Sequence, residues 1–141
     1  MLDRYNTMWY FTGATAARIG DEMSGPALLL LGLSVLGSAG PASVVYAGLT
    51  IAAALGGPFF GIVLDRAARP GRLLGGALVA YAGGLAVVAA LLGHVGLALV
   101  VAVAGVTGLL APALTGGWTA QLANVVPASN LARGHALDAA T

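Results

Sequence analysis

Along the chain, apolar residues run in blocks too long for a soluble fold, and the polar positions cluster at the joins between blocks. Crossing about 30 Å of hydrocarbon takes roughly 20 helical residues. Blocks of that length predict membrane-spanning helices at about 43–64, 73–92 and 97–119, none of which contains Asp, Glu, Lys or Arg. Gly40-Pro41 and the Gly93-His94-Val95-Gly96 stretch separate neighbouring blocks. A first span, about 8–36, carries Arg18, Asp21 and Glu22 ahead of a strongly apolar stretch from Ala27 to Leu36. After the fourth span comes a polar stretch, Gln121 to Asn130, containing Pro127. A new apolar pattern starts at Leu131 and stops with the sequence at Thr141, which predicts a fifth helix cut short. The fold class expected is therefore all-α, a polytopic membrane bundle of four helices and the start of another.

Composition agrees. Of 141 residues 59% are hydrophobic and 8% charged, with mean hydropathy +0.93, whereas soluble domains carry about 25% charged residues. Disorder requires low hydrophobicity. Six Lys+Arg against five Asp+Glu give net +1, which excludes the clustered basic excess of a nucleic-acid binder. The partners expected are a lipid bilayer and small molecules. With no cysteine, disulfides, thiolate nucleophiles and cysteine-based metal sites drop out, and no cofactor is indicated. Met1 to Asn6 is polar and of mixed charge, and no A-x-A-like stop follows, so no cleavable signal is expected.

Arginines near span ends stay on the cytoplasmic side. Arg4, Arg66, Arg69, Arg72 and Arg133 precede the first span, join the second to the third or follow the fourth, while Gly37 to Ala42 and Gly93 to Gly96 carry none. The expectation is a multi-pass protein of the plasma (inner) membrane with its N-terminus in the cytoplasm. Glycine is frequent, at 22 residues. Ala53, Gly57 and Gly61 in the second span, and Gly76, Ala80 and Gly84 in the third, form small-x-x-x-small faces suited to helix contact. Gly25-Pro26 and Gly57-Pro58 suggest bends.

The join between the second and third spans reads Gly61-Ile62-Val63-Leu64-Asp65-Arg66-Ala67-Ala68-Arg69-Pro70-Gly71-Arg72. It resembles the G-x-x-x-D-R-x-G-R-R/K signature of the major facilitator superfamily, which occupies the same loop of those transporters. Gly61, Asp65, Arg66 and Arg69 match; Ala68 and Pro70 depart from the pattern, and Arg72 stands near the position of the second base. The resemblance implies that Asp65 faces a helix end from the other half-bundle and that the arginines pair with acids, holding a gate. The plainer alternative is a short cytoplasmic turn anchored at the headgroups. Pro112 to Gln121, with Val126-Pro127 and Leu131 to Asp138, is similar to the fourth-to-fifth helix passage of bacterial exporter-like members. The arginine that many proton-driven antiporters carry early in the fourth helix has no counterpart between Leu97 and Gly108.

Arg18, Asp21 and Glu22 demand a reason of their own, since intramembrane charge costs at least about 2.5–3.5 kcal/mol per residue. Spacings of three and four put Arg18 on one helical face with both acids, which permits a local ion pair. Facing a cavity, one acid would couple protons to transport. The alternative starts the first helix near Gly25 and leaves the charges at the interface. Trp9, Tyr10 and Trp118 read as interfacial belt residues. His94 and His135 have no metal-ligand company, and no nucleophile-base pair or phosphate loop occurs, so no enzyme is expected.

These residues together imply the N-terminal portion of a major-facilitator-type secondary transporter over 1–141, exporting small molecules and completed by further helices that form the opposite wall. Substrate or coupling candidates are Thr12, Arg18, Asp21 and Glu22, with Gln121 at the cytoplasmic mouth; the gating-loop set is Gly61, Asp65, Arg66, Arg69 and Arg72. The rivals are a four-helix membrane scaffold and, more remotely, a membrane-embedded enzyme using Asp21, Glu22 or His135.

Overall fold

A computed structural model describes residues 2–125 together with Ala132, Gly134 and Ala136. Arg133, His135, Asp138 and most of the fifth segment expected from Leu131 lie outside the described residues, as does the passage from Val126 to Asn130. The described residues are predominantly helical, and none lies in a strand. The elements are α1 (Leu2–Leu36), α2 (Ala39–Asp65), α3 (Pro70–Leu91), α4 (Leu97–Gly108), a 3₁₀ turn (Ala111–Ala113) and α5 (Gly116–Val125). Four segments, Met8–Leu36, Ala39–Asp65, Pro70–Leu91 and Leu97–Gln121, are long and apolar enough to cross a membrane. Large apolar side chains accordingly cover the outside: Met8, Phe59, Val79 and Val106 are each about 70% exposed, from 68% to 73%.

The boundaries follow from local chemistry. Helix α1 begins earlier than the expected residue 8 and runs unbroken through Arg18, Asp21 and Glu22, which removes the reading in which it starts near Gly25. It ends where Gly37 turns to φ 67°, its N–H bonding the Leu33 carbonyl at 3.0 Å, a left-handed C-cap that glycine adopts without a Cβ clash. Gly40-Pro41, expected to separate spans, falls inside the first turn of α2, where the missing proline N–H costs no helical bond. Pro70 opens α3 at a position its fixed φ suits.

The fourth span lies where expected, at Leu97–Gln121, but is interrupted. Instead of one helix over 97–119, α4 stops at Gly108, the chain turns through Leu109 to Thr115, and α5 starts at Gly116. Pro112 explains the stop: it has no N–H for the Gly108 carbonyl, and its ring would clash there.

Packing centres on the crossing of α2 with α4. A Cβ on Gly48 would lie 2.9 Å from Val101 Cγ1, and one on Gly56 would lie 2.6 Å from the Leu109 carbonyl oxygen. The close-packed face of α2 is therefore Gly48, Ala52 and Gly56, not Ala53, Gly57 and Gly61; the space beside Gly57 and Gly61 is open. On α3 only Gly84 of the expected triplet is in tight contact, against Thr107, while Gly76 faces open space. The core joining the helices includes Val45, Leu49, Leu74, Val88, Val100 and Leu114, each at most 3% exposed.

Candidate functional site: a polar cavity between α1, α2 and α3

Four chain segments line a cavity of about 270 Å³ that is open on one side, where Glu22 and Thr50 are exposed. Helix α1 contributes Asp21, Glu22, Ser24 and Gly25; α2 contributes Tyr46, Leu49, Thr50 and Ala53; α3 contributes Tyr81; and the 3₁₀ turn contributes Ala111. On α2 the lining positions recur every three or four residues, so Tyr46, Leu49, Thr50 and Ala53 share one face of that helix. Asp21, Thr50 and Tyr81 all sit near the middle of their spans. In a bilayer that position is about as far from either interface as the chain reaches.

One hydrogen-bonded relay spans the cavity wall. The Tyr81 hydroxyl donates to Asp21 Oδ1 at 3.1 Å and lies 2.9 Å from Ser24 Oγ. Ser24 Oγ also donates to the Asp21 backbone carbonyl at 2.6 Å. Tyr81 is 3% exposed, and its hydroxyl ties a mid-span residue of α3 to two residues one turn apart on α1. Gly25 makes room for Tyr46 on the same cavity wall: a Cβ there would lie 2.8 Å from the Tyr46 ring. Glu22 lines the same space from an exposed position.

Of the residues singled out from sequence, Asp21 and Glu22 meet in the cavity. Arg18 does not line it; the guanidinium donates to Thr119 Oγ1 at 2.9 Å, joining α1 to α5. Thr12 lies farther towards the α1 N-terminus, exposed, and donates to its own helix at the Met8 carbonyl, 2.9 Å away. Gln121 sits half-buried on α5. Tyr10 and Trp118, expected in an interfacial belt, pack on each other with ring centroids 5.8 Å apart, and the Tyr10 hydroxyl donates to the Trp118 carbonyl. Trp9, by contrast, is 64% exposed.

The loop set forms a separate locus. Asp65 closes α2, Arg69 caps α3, and Arg72 lies in the first turn of α3. The turn is held by backbone bonds, Ala67 N to the Leu64 carbonyl at 3.1 Å and Leu73 N to the Arg69 carbonyl at 3.2 Å. Asp65, Arg66, Arg69 and Arg72 are all exposed, and the space beside Gly61, one turn earlier, is open. Asp65 lies roughly 22 Å along α2 from Thr50 at 1.5 Å per residue.

Ser24, Tyr46, Thr50 and Tyr81 are not among the residues that formal charge singles out, since the second and third spans contain no Asp, Glu, Lys or Arg. Polar groups do converge from three helices. The available signal was the spacing of Tyr46, Thr50 and Ala53 on one face of an otherwise apolar helix. Among the described residues no cluster of three His, Cys, Asp or Glu is arranged to hold a metal ion. No family model matches the chain, and neither the curated proteins nor the solved structures include one that matches it.

Proposed function

We propose that the chain is part of a membrane secondary transporter for small molecules, with the cavity between α1, α2 and α3 as a solute site. The observation that carries the reading is the convergence of Asp21, Glu22, Ser24, Tyr46, Thr50 and Tyr81 at mid-span of an apolar bundle. Carboxylates so placed are costly, and their cost is accounted for where they meet a solute, an ion or a water-filled path. The broken fourth span supports the same reading, because discontinuous helices beside a midplane cavity supply backbone groups to solutes in known transporter architectures.

The major facilitator type rests on the resemblance of the Gly61 to Arg72 loop, and efflux on the exporter-like character of the passage after Pro112. In that reading Asp65, Arg66, Arg69 and Arg72 form a gating contact with helices beyond these four, and Glu22 carries the coupling proton. The test is solute flux into vesicles reconstituted with the protein and any sequence that follows Thr141. Asp65→Asn slows flux without impairing insertion, and Glu22→Gln weakens its dependence on an imposed proton gradient. Unchanged flux in both variants removes those two roles.

A scaffold reading has one observation in its favour: the open face of Gly57 and Gly61 on α2 is shaped for another helix. Co-purification with a partner membrane protein that is lost in Gly57→Leu, with no solute flux by any preparation, selects it.

A further inference from the structure

We infer that the cavity binds a small organic cation, a primary ammonium on a compact apolar frame; the inference rests on the reading of the cavity as a solute site and adds the chemistry of the solute. The lining is one-sided. Two carboxylate and four hydroxyl residues line the space, and no Lys, Arg or His is among them; the Thr50 hydroxyl donates to its own helix, at the Tyr46 or Ala47 carbonyl. The nearest cation along α1, Arg18, is directed to Thr119 on α5. A carboxylate offers about four acceptor sites, and the hydroxyl of Tyr81 takes one of those on Asp21. What the cavity lacks is positive charge and N–H donors.

One backbone feature, independent of the carboxylates, points in the same direction. Ala111 lines the cavity just past the C-terminal end of α4, where the helix dipole presents its negative end, while the turn itself occupies the last carbonyls, Leu109 N–H on Gly105 and Leu110 N–H on Thr107.

Size and wall chemistry narrow the class. A volume of about 270 Å³ is far more than the roughly 30 Å³ that a water occupies, so the space suits a molecular frame over a bare ion. Leu49, Ala53 and the rings of Tyr46 and Tyr81 supply apolar and aromatic walls. Aromatic faces attract cations, and the three N–H donors of a primary ammonium match the surplus oxygens.

The test is calorimetric titration of the 141-residue protein in nanodiscs of zwitterionic lipid, with empty discs as blank. The probes are benzylamine, benzyl alcohol and benzoate, which share a frame and differ in charge. Benzylamine binds saturably, roughly tenfold or more tighter than benzyl alcohol, and benzoate does not bind. Asp21→Asn and Glu22→Gln each weaken benzylamine about tenfold and leave benzyl alcohol unchanged. The comparison of probes on the unaltered protein needs no variant to fold. No benzylamine binding, equal affinity for the alcohol, or insensitivity to both substitutions overturns the inference. Flux in reconstituted vesicles separates the two proposals: benzylamine binding without flux of any solute sinks the transporter and keeps the cation site, while flux of other solutes without benzylamine binding does the reverse.

Discussion

Adding a single methyl group at Gly108 tests the packing on which the whole bundle depends. At this position α4 crosses α2, and a Cβ would fall against the Leu49 carbonyl oxygen, 2.9 Å from the carbonyl carbon and 3.1 Å from Cα. Carbon atoms prefer separations of about 3.5–4.0 Å. Neither neighbour is a flexible side-chain end, so the helices must part by roughly 0.5–1 Å, which forfeits about a quarter to a half of each contact well along the crossing. Contacts at risk include Gly48 with Val101 and Gly56 with Leu109. Overpacking of this kind costs about 1–3 kcal/mol, offset by up to about 1 kcal/mol from the better helix propensity of alanine. Gly108→Ala is therefore destabilised by about 1–2 kcal/mol, a factor of about 5–30 in the folded-to-unfolded ratio. Gly61→Ala, with open space beside it, gains propensity alone and is neutral or slightly stabilised. Unfolding in mixed micelles titrated with sodium dodecyl sulfate, followed by far-ultraviolet circular dichroism, measures both. Equal midpoints for the two variants would refute the assigned α2–α4 contact.

Other substitutions report on the remaining contacts. Tyr81→Phe leaves the ring in place but removes the donor to Asp21, lowering stability by about 1 kcal/mol in the same titration; no change means the relay is absent. Tyr10→Phe deletes the bond to the Trp118 carbonyl, so amide exchange in α5 quickens roughly fivefold while α3 is unaffected; uniform protection across α5 contradicts the assigned docking. Asp65 is a carboxylate at a helix C-terminus, an unfavourable place for negative charge. Asp65→Asn therefore raises stability by up to about 1 kcal/mol at low salt, less at high salt. A loss of stability instead would mean that Asp65 has a fold-holding partner.

The sequence carries the spans better than the contacts between them. Charge-free runs mark α2 and α3 to within a few residues, because the cost of hydrocarbon leaves no alternative use for such runs. Pro112 was visible, but hydropathy does not register a missing N–H, so the fourth span read as continuous. Which glycines touch depends on helix rotation: Gly48 and Gly56 lie in contact, whereas Gly57, one position on, is open. Every glycine-rich stripe looks equivalent until a partner is specified. Asp21 and Glu22 stood out through their charge. Tyr81 did not, since a lone tyrosine in an apolar run gives no hint that its hydroxyl reaches residues of a helix about sixty positions earlier.

The central claim, that a polar cavity lies inside a membrane-spanning bundle, can be tested on a chain that contains no cysteine. Thr50 lines the open side of the cavity and is itself exposed, while the next residue, Ile51, is 62% exposed on the apolar exterior of α2. Thr50→Cys and Ile51→Cys are each reconstituted in lipid vesicles and exposed to a small water-soluble thiol reagent. The cysteine at position 50 is modified and is protected by prior addition of benzylamine, and that at 51 remains unreacted until detergent is added. Equal rapid labelling of both positions, or labelling at 51 alone, contradicts the account.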